Sequence, residues 1–199
     1  MSLSGSLVGT VTVGGTQFST TQTRSDSGRI EQEVACLTGV AGTLGTRTND
    51  TEGVITLTAE HGLSTGTFDV YFTGGERHQI SATIDGNAAT ISSGSGDNLP
   101  IEDSAVVFSP RTEVDSDLDG DLVQFLAAGC TTRAGVEFTE SDDGNLLNVA
   151  LPAGEAYVWA ADTSITNPLD SAAVGKIYCS SGTAATCTVK IGIVYDSEV

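Results

Sequence analysis

The sequence predicts an all-β protein, with a small β-barrel or sandwich module in the centre and a second antiparallel β-sandwich domain formed mostly by the C-terminal part. Three observations carry this reading. Apolar and polar residues alternate at period two along most of the chain, whereas the 3.6-residue spacing of an amphipathic helix is nearly absent. Turn signals of Gly, Asp, Asn and Pro separate the alternating runs. The 24 glycines stand against only 4 prolines, with β-branched residues continuing between them, which suits tight turns and bulges rather than disorder.

In chain order, LVGTVTV reads as the first strand and stops at Gly14-Gly15. The polar run TRTNDTEG, residues 46–53, precedes VITLTA, TFDVYF, QISATI, AATIS and SAVVFS, with turns at Gly74-Gly75 and Asp85-Gly86-Asn87. Ser109-Pro110-Arg111 closes this group. VEFTE, LLNVAL, AYVWAA, KIYCS and TCTVKIGIVY come next, separated by Asp143-Gly144-Asn145 and Pro152-Ala153-Gly154. These breaks give an N-terminal β segment over 1–50, a central module over 51–110 and a sandwich over 111–199. The flanks can also pair with one another around an inserted module.

Alternation assigns faces. Cys187, Val189, Ile191, Ile193 and Tyr195 share one, to which a hairpin partner adds Ile177 and Cys179. Leu147, Val149 and Leu151 stand across the Pro-Ala-Gly turn from Tyr157 and the single tryptophan, Trp159, which is expected in the core. If the hairpin turns near Gly182-Thr183, Cys179 and Cys187 lie opposite each other. A disulfide there contributes roughly 2–3 kcal/mol; two packed thiols are the equal alternative. With no C-x-x-C among Cys36, Cys130, Cys179 and Cys187, and only His61 and His78 beside them, zinc is not expected.

The 8 basic and 26 acidic residues leave a formal net charge of -18, which repels phosphate backbones and anionic lipid. Neither nucleic acid nor membrane is an expected partner. The residues after Met1, SLSGSLVGTVTV, have neither a basic n-region nor a long apolar run, so neither a signal peptide nor a membrane helix is expected there.

Two motifs invite chemistry. Gly62-Leu63-Ser64-Thr65-Gly66 spells the G-x-S-x-G of a nucleophile elbow, which requires a strand, a sharp turn and then a helix. TFDVYF comes next instead, a strand pattern, and only His78 lies later as a base, so Ser64 is read as a turn residue and no catalytic residue is assigned. The run Asp115-Ser116-Asp117-Leu118-Asp119-Gly120-Asp121 copies the first half of a calcium loop. Its twelfth position is Leu126 rather than the bidentate Glu, so Asp115, Asp117, Asp119 and Asp121 are weak metal candidates and a solvated turn is preferred. No metal or other cofactor is expected.

VITLTAEHGLSTGTFDVYF, the Gly-rich TGGERHQISATIDGNAATIS and the closing SGSGDNLP resemble the HGL-containing β modules of structural proteins in tailed bacteriophages and prophages. LVGTVTVGGTQFSTTQTR and TLGTRTND are similar to uncharacterised virion proteins of this type. The resemblance implies a non-enzymatic virion component, made in the bacterial cytoplasm and assembled with copies of itself and other virion proteins. It also implies that His61 bonds the turn backbone, that Leu63 plugs the core and that Gly62 and Gly66 supply backbone freedom. The alternative is an extracellular carbohydrate- or calcium-dependent adhesion module, with Trp159 and Tyr157 stacking on sugar and the Asp115–Asp121 loop holding the ion.

Overall fold

The computed structural model describes residues 5–13, 16–24, 27–114, 122–139, 145–160 and 174–196. The molecule is all-β: among the described residues every regular element is a strand. Six strands close a barrel: β4 (Val40–Arg47), β5 (Gly53–Leu57), β6 (Gly66–Phe72), β7 (Gly75–Asp85), β8 (Ala88–Ser92) and β10 (Ala105–Pro110). Around the ring β6 neighbours β10, then come β4, β5, β8 and β7, and β7 returns to β6; the two-residue β9 (Ser95–Gly96) adds to β7. Closure removes the open edges that a six-stranded sheet otherwise presents to solvent.

Alternation fills the barrel as the sequence requires. Phe68, Val70 and Phe72 of β6 point inward with Ile55, Ile80 and Phe108, and Leu63 packs on this core from its loop. Phe68 stacks on Phe108 with ring centroids 4.3 Å apart. The β6–β7 and β7–β8 corners turn at Gly74 (φ 84°) and Gly86 (φ 56°), backbone settings that glycine reaches without steric cost. One irregularity interrupts the β6–β7 ladder between Phe68 and Val70, where Gln79 adopts φ 54°. Such a bulge re-aims the side chains around it.

The remaining strands are β1 (Gly5–Val13), β2 (Thr16–Arg24), β3 (Ser27–Cys36), β11 (Thr112–Val114), β12 (Leu122–Cys130), β13 (Ala134–Thr139), β14 (Asn145–Leu151), β15 (Ala156–Ala160), β16 (Lys176–Ser181) and β17 (Cys187–Asp196). β1 and β2 form a two-stranded antiparallel ribbon. Two four-stranded sheets run β11-β16-β13-β14 and β15-β12-β17-β3, the sandwich component of the fold.

The chain divides into two compact units, one of Cys36–Thr112 with Ser180–Cys187 and one of Met1–Ala35, Glu113–Cys179 and Thr188–Val199. The barrel is therefore an insertion, and the flanks share a unit because β3 joins the sheet of β17. This moves the boundary expected at residue 51: the polar run 46–53 contains the β4–β5 connection, residues 48–52, and β4 is a barrel strand. Two expected hairpins are also replaced. β14 pairs with β13 and β15 with β12, so the Pro-Ala-Gly turn carries the chain from one sheet to the other. β16 and β17 likewise lie in different sheets, so Cys179 and Cys187 are not a cross-strand pair. All four cysteines are buried as thiols.

Candidate functional site

Ser64 sits exposed in the loop between β5 and β6, and strand β6 begins at Gly66, so the helix whose amides support a nucleophile elbow is absent from this position. The neighbouring His61 is fully engaged with the backbone. Its Nδ1 accepts from the Leu63 amide at 3.0 Å, which leaves Nε2 to donate to the Gly86 carbonyl at 2.9 Å. Ile84 N–H donates to Thr65 Oγ1 at 3.0 Å, tying the same loop to β7. HGLSTG is thus a loop held by its own side chains.

Asp115, Asp117, Asp119 and Asp121 lie outside the described residues. Trp159 is 8% exposed, so its face is not available for stacking on a sugar. Tyr157 is half-buried, and burial pushes its phenol above the ordinary value of 10.0 by penalising the phenolate. Between them Val158 is exposed.

The most concentrated polar chemistry lies on the outer surface of the barrel. Asp69 and Tyr71 alternate with the inward residues of β6, and Ser109 stands beside Asp69 on β10. All three are buried, and each bonds Ser180 or Ser181 of the same unit. Ser180 Oγ donates to Asp69 Oδ2, and Ser109 Oγ donates to the Ser181 carbonyl. Since the one hydroxyl proton of Ser180 goes to Asp69, Tyr71 is the donor in its 2.6 Å contact with Ser180 Oγ. Gln79 N–H, aimed by the bulge, donates to Asp69 Oδ1 at 3.0 Å. His78 Nδ1 lies 3.5 Å from Asp69 Oδ2, and its Nε2 lies 3.2 Å from Glu76 Oε1.

Ser, His and Asp are present together here, but in the wrong order for nucleophilic catalysis. A triad needs the serine hydroxyl on histidine and the histidine on the acid, with the serine open to substrate. Here Ser180 bonds the carboxylate directly, both ring nitrogens of His78 face carboxylates, and Ser180 is 0% exposed. The arrangement holds a segment onto the barrel; it does not present a nucleophile. Alternation within TFDVYF separates Asp69 and Tyr71 from Phe68, Val70 and Phe72 but gives no partner for them, because Ser180 arrives 111 positions after Asp69 in the chain.

Arg77 makes a second buried polar site. Its Nε donates to the Ser93 carbonyl at 3.0 Å, Nη2 to Gly94 at 2.7 Å, and Nη1 to Asp97 at 3.0 Å and Gly96 at 3.4 Å. Desolvation lowers the guanidinium below its ordinary value, while the charge of Asp50 opposes that shift. A planar fork of donors fits this curl of carbonyls in a way no other side chain matches. No family model, curated protein or solved structure matches the chain.

Proposed function

We propose that this chain is a non-enzymatic structural component of a phage-like virion, made in the bacterial cytoplasm and acting through protein–protein assembly with copies of itself and neighbouring particle proteins. The observation that carries this reading is how the polar groups are used. Ser180, Asp69, Tyr71, His78 and Arg77 are spent on interior contacts, and Ser64 lies in a turn without an elbow. The resemblance of the HGLSTG stretch to phage β modules supports the particle assignment. Burial of Trp159 weighs against the carbohydrate-binding alternative.

Assembly through this molecule has to overcome its charge. At a net charge of -18, like copies repel, so association should strengthen as salt screens the carboxylates. The terminal strands of the open sheets, among them β3 and β11, supply edges for pairing with a second chain. Light scattering over a wide concentration range, at low and high ionic strength, is expected to show concentration-dependent growth that is larger at high salt. Peptide mapping of purified particles from a host carrying the gene is expected to find the chain in them. A strict monomer in every condition, together with its absence from particles, would overturn the reading.

A further inference from the structure

Cys36 ends β3 and Cys187 begins β17, and these strands are neighbours in one antiparallel sheet. An ion pair joins them: Lys190 Nζ lies 3.2 Å from Glu33 Oε2, on side chains that are 53% and 63% exposed. With Glu33 and Lys190 taken as directly opposed, three steps forward from one and three steps back from the other end on a common rung of an antiparallel pair. Those steps arrive at Cys36 and Cys187. An odd number of steps also changes face. Burial agrees, since Val34, Cys36, Cys187 and Val189 are buried whereas Glu33, Ala35 and Lys190 are exposed. The division between the two units falls at the same place on both strands, after Ala35 and before Thr188, which leaves Cys36 and Cys187 together in the barrel unit.

We infer that Cys36 and Cys187 form a cross-linking site, closed as a disulfide between β3 and β17 when the chain meets an oxidising thiol–disulfide couple. Directly opposed residues of an antiparallel pair have Cα atoms about 4.5–5.5 Å apart, inside the range a disulfide spans. The oxidant is a low-molecular-weight disulfide such as oxidised glutathione. One cysteine thiolate attacks it and expels a first small thiol; the second cysteine then attacks the mixed disulfide and expels the other. Two protein thiols lose two protons and two electrons in forming one S–S bond, and the small disulfide is reduced to two thiols. Both cysteines are buried, but each is the terminal residue of its strand, where fraying first exposes the backbone. The loop closed, residues 37–186, is long, so the constraint on the unfolded chain is large.

The full chain, reduced and unfolded in denaturant and then refolded in a glutathione redox buffer, tests the site by thiol titration and peptide mapping under non-reducing conditions. Two of the four thiols should disappear, the cross-linked peptides should contain Cys36 and Cys187, and Tm should exceed that of the reduced protein by at least about 5 °C. Cys36→Ala and Cys187→Ala should each abolish that rise, whereas Cys130→Ala should keep it. Four titratable thiols after oxidative refolding, or a cross-link joining Cys179 or Cys130 to either cysteine, overturns the inference. Mapping of the unaltered chain decides the matter even if a variant fails to fold.

Discussion

Gly62 and Gly66 bracket Ser64 symmetrically in the sequence, yet only the first needs to be glycine. Gly62 has φ 68° with open space where a Cβ would stand, so Gly62→Ala should cost about 1 kcal/mol from backbone strain alone. Gly66 has an ordinary strand conformation with its nearest Cβ neighbour at 3.7 Å, so Gly66→Ala should lie within about 0.5 kcal/mol of the parent. Gly94 combines φ 84° with a Cβ position 2.5 Å from the His78 carbonyl, and its Ala variant should be the worst of the three. Urea unfolding of the three variants checks the order, and equal midpoints would remove the backbone argument. Tyr157 gives a pH test. Because burial raises its phenol pKa, the neutral form is favoured in the folded state. That contribution is complete below the unfolded value near 10 and is lost as pH rises through the folded value. Melting curves between pH 9 and 11.5 should therefore fall more steeply for the parent than for Tyr157→Phe; parallel curves would contradict the assignment. At this scale, legibility tracked sequence distance. His61 bonds Leu63 only two residues away, whereas the Asp69 partner Ser180 could not be found by any local pattern.

Period-two alternation made some strands legible and left others hidden. β5 shows the alternation directly, with Gly53, Ile55 and Leu57 buried, and it stood out in the sequence. β12 escaped notice because Leu126, Ala127, Ala128 and Cys130 are all buried, which erases the period-two signal. β4 escaped for the opposite reason: Leu44 alone among its residues is fully buried. The expected hairpins failed at β14–β15 and β16–β17 because a short connection looks the same in sequence whether the chain folds back or crosses to another sheet. β7 carries the sharpest element-level prediction. Its Arg77 donates to the carbonyls of Ser93, Gly94, Gly96 and Asp97. Arg77→Met keeps the apolar stem but strands those carbonyls, and should cost roughly 2–4 kcal/mol. Amide exchange in residues 93–97 should rise more than elsewhere in the barrel. A stable variant with unchanged exchange would mean that the loop holds itself.

Insertion of one unit within another makes the two parts unequal in their dependence on the rest of the chain. All six barrel strands lie between Val40 and Pro110, so a fragment of residues 36–112 contains the whole ring. A fragment of residues 113–199 lacks β3, the strand beside β17, and leaves that edge uncovered. The first should fold alone and the second should not. The barrel fragment loses Ser180 and Ser181, however, and with them the donor to Asp69 Oδ2 and the acceptor for Ser109 Oγ. This gives the buried cluster a comparative test. In the full chain Asp69→Asn keeps an acceptor for Gln79 N–H but turns an amide donor toward Ser180, whose own proton then lacks its carboxylate, and the cost should be roughly 1–3 kcal/mol. In the fragment Ser180 is missing and Asp69 can reach water, so the same substitution should cost less than about 0.5 kcal/mol. Circular dichroism establishes folding of each fragment, and denaturant unfolding of the four proteins gives the difference. Equal costs in both contexts would show that Asp69 acts through β7 alone, and that the Ser180 contact contributes nothing to holding the segment on the barrel.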